Sequence, residues 1–511
     1  MSNLLKFLFS RMVIVGVLIL LQLGILTFTV WKITESFVYV YVLLSVISIL
    51  AVVYIVSTKD NPSYKLAWTI PVLLVPVFGG LFYLLFGLKK TTKKFRGKIL
   101  DIHNETSHLL LQDKDILDEI EREDKGVANQ VRYLNKYAAS PIYKNTTTQY
   151  LSPGEKFFEK LKEELKKAKH YIFMEYFIIQ EGIMWDSILE ILEDKVKEGV
   201  DVRLIYDDMG CLQTLPYKYD EKLRQKGIKC VVFNPFVPFL SVVMNNRDHR
   251  KITIIDGHTA FTGGINLADE YINEIVRFGH WKDASLMVKG EAVWNLTMMF
   301  LQSWQFNYGQ RDDYEKYKPY VNYDGIFESD GYVQPYGDSP LDDETVGENV
   351  YLNIINKAKD YVYINTPYLI VDNELVTALT LSAKSGVEII IVTPHIEDKW
   401  YAHMVTRAYY SQLIEAGVKI YEYTPGFIHS KTFVSDDEIG VVGTINMDYR
   451  SLYLHFECGV LLYKTKSLME IKKDFIETLD ICKLITIEDC HRVKWANRFI
   501  TAILRVFAPL M

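Results

Sequence analysis

Two stretches of this sequence carry the same three polar residues at the same spacing. HRKITIID occupies residues 249–256 and HSKTFVSD residues 429–436. Each reads His, one residue, Lys, four residues, Asp, within a run otherwise suited to a buried strand. The chain has 11 His, so composition alone gives on the order of 0.04 such matches. Two matches therefore mark a duplicated functional segment. Each His is also followed, at the seventeenth position, by an Asn: Asn266 in FTGGIN and Asn446 in VVGTIN. Gly264 stands where the second copy has Thr444.

The spacing dictates the chemistry. Side chains at i and i+2 of a strand share a face, so His249 projects with Lys251 and His429 with Lys431. Ile252, Ile254, Thr432 and Val434 are left to pack the other face. Imidazole and ammonium side by side resist burial unless an anion meets them. Two such couples converging would fit a phosphodiester, with Asn266 and Asn446 as neutral donors to its oxygens. Asp256 and Asp436 break the parity and sit at turn signals, one before Gly257 and one beside Asp437. They are expected to fix the turn and hold the His-Lys strand. A His that attacks or shuttles protons needs a carboxylate on its second nitrogen. The repeat supplies one candidate per half, Asp283 opening DASLMVKG and Glu457 opening ECGVLLYK. The plain alternative is a surface carboxylate at a strand edge.

The elements that must position these groups are themselves duplicated. HYIFMEYFII, GVDVRLIYDD and GIKCVVFNP before the first motif correspond to DYVYINTPYLI, GVEIIIVTPH and GVKIYEYTP before the second. Strands alternating with helices imply an α/β fold. A repeat of about 180 residues implies two fused domains, not a solenoid.

The chain has 511 residues, 49% hydrophobic, a net charge of −7, a pI of about 5.9 and a mean hydropathy of +0.04. The negative balance argues against a nucleic-acid partner. Five cysteines with no CxxC pair argue against a disulfide framework or a zinc site. Acidic clusters at Asp207-Asp208 and Asp342-Asp343-Glu344 read as solvated loop residues. Residues 12–31 and 37–56 are uncharged and long enough to cross a bilayer. Lys6 and Arg11 before the first span, and Lys59 and Lys65 after the second, put the N-terminus and the main body inside. The apolar stretch 66–88 is broken by Pro71, Pro76, Gly79 and Gly80 and flanked by basic residues. It reads as re-entrant or interfacial. The C-terminal segment 486–511 reads as a basic amphipathic helix for an anionic membrane surface. Residues 232–244 suit a lipid-facing loop and a core segment equally.

The paired His-x-Lys-x4-Asp segments, with GGIN and GTIN behind them, resemble the phospholipase D superfamily. With the two N-terminal spans and NPSYKLAW, the chain is similar to the bacterial cardiolipin synthase family. That resemblance implies an α/β fold of two phospholipase D-like domains, helices flanking mixed sheets, behind an N-terminal transmembrane helical region. The expected division is 1–98 membrane region, 99–150 connector, 151–330 first domain, 331–485 second domain and 486–511 C-terminal helix. The resemblance implies His249, Lys251, Asp256, His429, Lys431 and Asp436 as catalytic, with Asn266, Asn446, Asp283 and Glu457 in support. It implies no metal and no cofactor. Phosphatidylglycerol would be donor and acceptor, anionic lipids the surroundings, and a homo-oligomer is left open. By analogy His249 attacks phosphorus, and His429 serves as acid and then base, a task suited to an imidazole pKa near 6.5. A hydrolase, or a transferase to another alcohol, shares the same residues.

Overall fold

The computed structural model describes residues 11–36, 38–87, 93–236, 245–342 and 344–510. Much of the 232–244 segment lies outside them, although Phe233 is buried.

Two sheets repeat one plan. In the first half the strands are β1 (Thr146–Leu151), β2 (Tyr171–Tyr176), β3 (Asp201–Asp207), β4 (Lys229–Phe233), β5 (Arg247–Asp248), β6 (Lys251–Ile255), β7 (Thr259–Gly263), β8 (His280–Lys282) and β9 (Ser285–Gly290). In the second they are β10 (Tyr332–Asp338), β11 (Tyr361–Asn365), β12 (Leu369–Ile370), β13 (Glu388–Pro394), β14 (Lys419–Tyr423), β15 (Gly426–Ile428), β16 (Thr432–Ser435), β17 (Ile439–Gly443), β18 (Met447–Asp448), β19 (His455–Tyr463) and β20 (Cys482–Leu484). The first sheet runs β1-β9-β7-β6-β2-β3-β4 and the second β10-β19-β17-β16-β11-β13-β14-β20. Each joins a parallel part, where helices make the crossovers, to an antiparallel part built by the His-Lys hairpin.

Strand parity sorts the cores. Ile252 and Ile254 of β6 and Val434 of β16 enter one core shared by both halves. It also holds Val293, Leu296 and Phe300 of the helix Val293–Tyr308. Ile255 and Phe433, of opposite parity, face the separate outer cores of the first and second halves. The two sheets therefore close on a common layer, and the ends of β6 and β16 come to one place.

The stretch 99–150, read from the sequence as a connector, carries two docked helices. Helices Lys114–Glu123 and Lys125–Tyr137 insert Ile120, Val127, Val131 and Leu134 into the second half's outer core. Val127, Val131 and Leu134 share one face of the second helix, and burying that stripe docks it. The first sheet also begins at Thr146, ahead of residue 151.

At the N-terminus, Arg11–Ser36 and Val38–Ser57 are helices long and apolar enough to cross a membrane. The broken stretch 66–88 falls in the region of two short helices, Pro62–Leu74 and Pro76–Phe86. The break is at Val75, because a residue before proline is pushed out of the helical region. At about 20 and 17 Å, neither spans the roughly 30 Å of a bilayer core. Both pack on Val38–Ser57, where Gly80 comes so close that an added Cβ would lie 2.4 Å from Ser48 Oγ. Asn61 donates to Asp372 (3.0 Å) and to the Tyr453 hydroxyl (3.1 Å), tying this region to the second half.

Candidate active site

Each catalytic strand is completed by the other half. β5, just before His249, pairs in parallel with β19 of the second half. β15, just before His429, pairs in parallel with β8 of the first. The His249 N–H donates to Phe456 O (2.9 Å) and the His429 N–H to Lys282 O (2.7 Å). The next residue along each acceptor strand is the candidate carboxylate. His249 Nδ1 therefore meets both oxygens of Glu457, at 2.9 and 3.0 Å. His429 Nδ1 meets Asp283 Oδ2 at 2.7 Å. The carboxylates are not surface groups, both being fully buried, and each serves the imidazole of the opposite half.

With Nδ1 engaged by a carboxylate, each imidazole keeps its proton there and frees Nε2 for chemistry. Both histidines line one cavity of about 440 Å³, together with Asn266, Asn446, Tyr271 and Arg450. The Lys251 ammonium donates to its own motif's His249 carbonyl at 2.6 Å, and Lys431 likewise to the His429 carbonyl. Lys431 Nζ also lies 2.9 Å from His429 Nδ1. That nitrogen has one proton to give and the Asp283 carboxylate takes it, so Lys431 is there an electrostatic neighbour, not a hydrogen-bond partner.

Burial and mutual repulsion set the charges. His249 is held well below the ordinary imidazole range by burial, then by Lys251, Lys431 and His429. His429 is lowered to about 4 by burial and Lys431, with Asp283 opposing. The ordinary value near 6.5 expected from the sequence does not hold: the free site keeps both rings neutral. Burial lowers Lys251 to about 8 and Lys431 to about 7. Asp283 stays below the usual carboxylate range although burial pushes it up, because His429 and Lys431 outweigh that push. Such a pocket stabilises an entering anion by relieving repulsion among its own cations.

Asp256 and Asp436 are away from this chemistry. Asp256 accepts the backbone N–H groups of Lys169, His170 and Tyr171 at 2.8, 2.8 and 2.9 Å. Asp436 accepts those of Lys359, Asp360 and Tyr361 at 2.8, 3.0 and 2.9 Å. Both occupy left-handed turns, at φ 50° and 53°. They lock the hairpin to the start of β2 and β11. Asn266 spends its carbonyl on the Ile178 N–H (3.0 Å) and one N–H on the Tyr271 hydroxyl (2.7 Å), leaving one N–H to donate. Asn446 lies against Asp448, and its Oδ1 has no partner. Thr444 and Gly264 differ for a reason: the Thr444 hydroxyl donates to Glu457, whereas a Cβ on Gly264 would stand 2.1 Å from Asp283 Oδ1.

Asp207 and Asp208 are buried, not solvated. Asp207 accepts the N–H groups of Met209, Gly210 and Asp248, which bury it as the brace of β5. Of the other cluster, Asp342 is exposed, Glu344 half-buried, and Asp343 lies outside the described residues. His249, His455 and Glu457 offer ligand atoms within 4.8 Å of one another. Glu457 is already committed to His249 there, and Lys251, Lys431 and Arg450 oppose a divalent cation electrostatically.

Sequence reasoning missed His455. It precedes Glu457 by two on β19, so strand parity alone puts it on the same face. Its ring lies 5.5 Å from that of His249. The C-terminal helix is Trp495–Phe507, with Arg505 over the Tyr409 ring and Leu504 against the second half's core. Trp495 and Phe499 stand out at 83% and 65% exposure, so the helix both packs on the body and presents apolar surface.

The family model described as cardiolipin synthase, PLD-like domain, matches residues 161–276 and 351–479. A phospholipase D-nuclease N-terminal model matches residues 46–87. The chain is 45% identical over 463 residues to an uncharacterized protein of Streptococcus mutans, covering 90% of this chain and 99% of that one. It is 34% identical over 475 residues to a cardiolipin synthase of Halalkalibacterium halodurans, covering 92% and 93%. Among solved structures, the phosphatidylserine synthase of Haemophilus influenzae superposes with a TM-score of 0.55 at 14% identity. That alignment covers 75% of this chain and 97% of the other, a likeness of fold alone.

Proposed function

Because the chain belongs to the cardiolipin synthase family of the phospholipase D superfamily and is a phosphatidyltransferase, we propose that it joins two phosphatidylglycerol molecules into cardiolipin and glycerol. The observation that carries this reading is the crossed pair: two carboxylate-anchored imidazoles facing one cavity, each beside the buried lysine of its own motif.

In the reaction we infer, His249 Nε2 attacks the phosphorus of the first phosphatidylglycerol. An N–P bond forms, the P–O bond to glycerol breaks, and His429 gives the departing oxygen its proton. A second phosphatidylglycerol then gives a hydroxyl proton to His429. Its oxygen attacks phosphorus, the N–P bond breaks and His249 is freed. His429 thus ends protonated, as it began. Asp283 partly offsets the cationic field at His429, which supports His429 as the proton carrier. A neutral His429 in the empty site means that its first proton arrives with substrate, whose negative charge favours the imidazolium. Lys251, Lys431 and the free N–H of Asn266 stabilise charge on the phosphoryl oxygens.

The enzyme works at a membrane in this reading. Two helices of crossing length and basic residues on both flanks of the pair orient the catalytic halves to the cytoplasm. The exposed Trp495 and Phe499 on a basic helix suit contact with anionic lipid.

Purified protein in vesicles of phosphatidylglycerol should yield cardiolipin and glycerol in equal amounts. Phosphatidic acid as the main product would replace this reading with a hydrolase. With a phosphatidyl ester of p-nitrophenol, whose leaving group needs no proton, lipid phosphate should label the wild type and His429→Ala but not His249→Ala; the reverse pattern would exchange the two roles.

A further inference from the structure

His455 lies in the wall of the catalytic cavity and takes no part in the crossed pairs. It is 7% exposed, and neither ring nitrogen has a hydrogen-bond partner. Its nearest carboxylate oxygen, Glu457 Oε1, is 3.8 Å from Nδ1, beyond hydrogen-bond range. The ring is wedged between His249, at 5.5 Å, and Phe177, at 6.3 Å between centroids. Burial, which lowers its pKa to about 3, keeps the imidazole neutral. Buried in the cavity wall, it therefore has one unpaired N–H donor and one bare nitrogen acceptor.

The equivalent position in the other half is Trp281, two residues before Asp283, with its ring 5.2 Å from that of His429. Indole donates only. The site is therefore symmetric in its imidazoles, ammoniums and carboxylates but asymmetric here. Buried polar groups left unpaired are costly, and a site that holds them discriminates against ligands unable to fill them. A phosphoryl oxygen only accepts. An ammonium headgroup only donates, and Arg450 would repel it here. Hydroxyl groups both donate and accept, and glycerol carries its free hydroxyls on the second and third carbons from the bridging oxygen.

We propose that His455 is a specificity-determining residue that hydrogen-bonds the free hydroxyls of the glycerol headgroup, selecting a polyhydroxy alcohol over an alcohol with one hydroxyl. The proposal rests on the phosphatidyl transfer described above. The test is a competition that reads selection apart from turnover. Wild-type protein in phosphatidylglycerol vesicles is offered deuterated glycerol and 1-propanol at equal concentration, and labelled phosphatidylglycerol and phosphatidylpropanol are counted by mass spectrometry. His455→Phe should lower the glycerol-to-propanol product ratio about tenfold, the worth of roughly one hydrogen bond. His455→Asn, which keeps a donor and an acceptor, should stay within about threefold of wild type. If the Phe variant does not fold, His455→Leu supplies the apolar side chain for the same measurement. A ratio unchanged in the apolar variant, whatever its turnover, would overturn the proposal. No transfer to either alcohol by wild type that still makes cardiolipin would overturn the proposal alone; failure to make cardiolipin from phosphatidylglycerol would overturn the underlying reaction as well.

Discussion

The imidazole of His249 is held by Glu457, 208 residues further along the chain. The mirror contact is His429 to Asp283, 146 residues back. Neither half can assemble a complete acid-base couple by itself. The duplicated chain makes one site because the short strands β5 and β15 each add to the opposite half.

This crossing assigns distinct defects to the two carboxylates. Glu457→Gln should weaken the attacking His249, and Asp283→Asn the proton-carrying His429. Each should reduce cardiolipin formation about a hundredfold or more, because the carboxylate fixes the tautomer and stabilises the imidazolium. A phosphatidyl ester of p-nitrophenol, whose leaving group needs no proton, separates them. Its burst of nitrophenolate should survive Asp283→Asn and be lost in Glu457→Gln. The opposite pattern would exchange the roles of the two histidines.

The two anchoring carboxylates tolerate different neighbours. Gly264→Ala should drive a methyl group into Asp283 and displace the acid-base imidazole, lowering kcat about tenfold or more. Thr444→Val removes one hydroxyl donor from Glu457, a loss of about 1 kcal/mol, or roughly fivefold in rate. Steady-state cardiolipin synthesis measures both. A larger effect from Thr444→Val than from Gly264→Ala would contradict this ranking.

Asp256 and Asp436 should behave as structural residues despite their place in the motif. Asp256→Ala strips the acceptor from three backbone N–H groups, two of them on residues entering β2. Loss of such a buried network costs about 2–4 kcal/mol. The melting temperature in detergent should fall by several degrees, while kcat per folded molecule stays within about threefold of wild type. A normal melting curve with abolished turnover would return Asp256 to the chemistry.

Strand parity made much of this legible beforehand. Spacing by two put His249 with Lys251, and spacing by seven put Asp256 off their face, where it is found at a turn. The partner of each imidazole was not legible, because it depends on strand pairing across more than a hundred residues of chain. The identity of each carboxylate could be read, its owner could not. Asp207 looked like a solvated loop acid because sequence shows neither burial nor the three N–H groups that bury it. The ordinary imidazole pKa failed for a related reason: spacing shows which charges are neighbours, not how little water surrounds them. His455 stood in plain parity with Glu457, and its meaning emerged only once its two nitrogens proved empty.

The lysines give the site a pH signature of known sign. Lys431 and Lys251 have pKa values of about 7 and about 8, lowered first by burial, against about 10.4 for a free side chain. The unfolded chain therefore binds more protons than the folded one between about pH 7 and 10. The empty enzyme should gain stability as pH rises through that window and lose it on the way down. An anion in the cavity reverses the balance by favouring the ammonium form. Binding of inorganic phosphate at pH 8 should then draw in up to about one proton per site. Calorimetric titration in buffers of different ionisation enthalpy measures that uptake directly. Lys431→Met should diminish it, because the lysine that is mostly neutral at pH 8 is gone. Proton release, or uptake indifferent to Lys431, would mean that the ammoniums were already charged before the anion arrived.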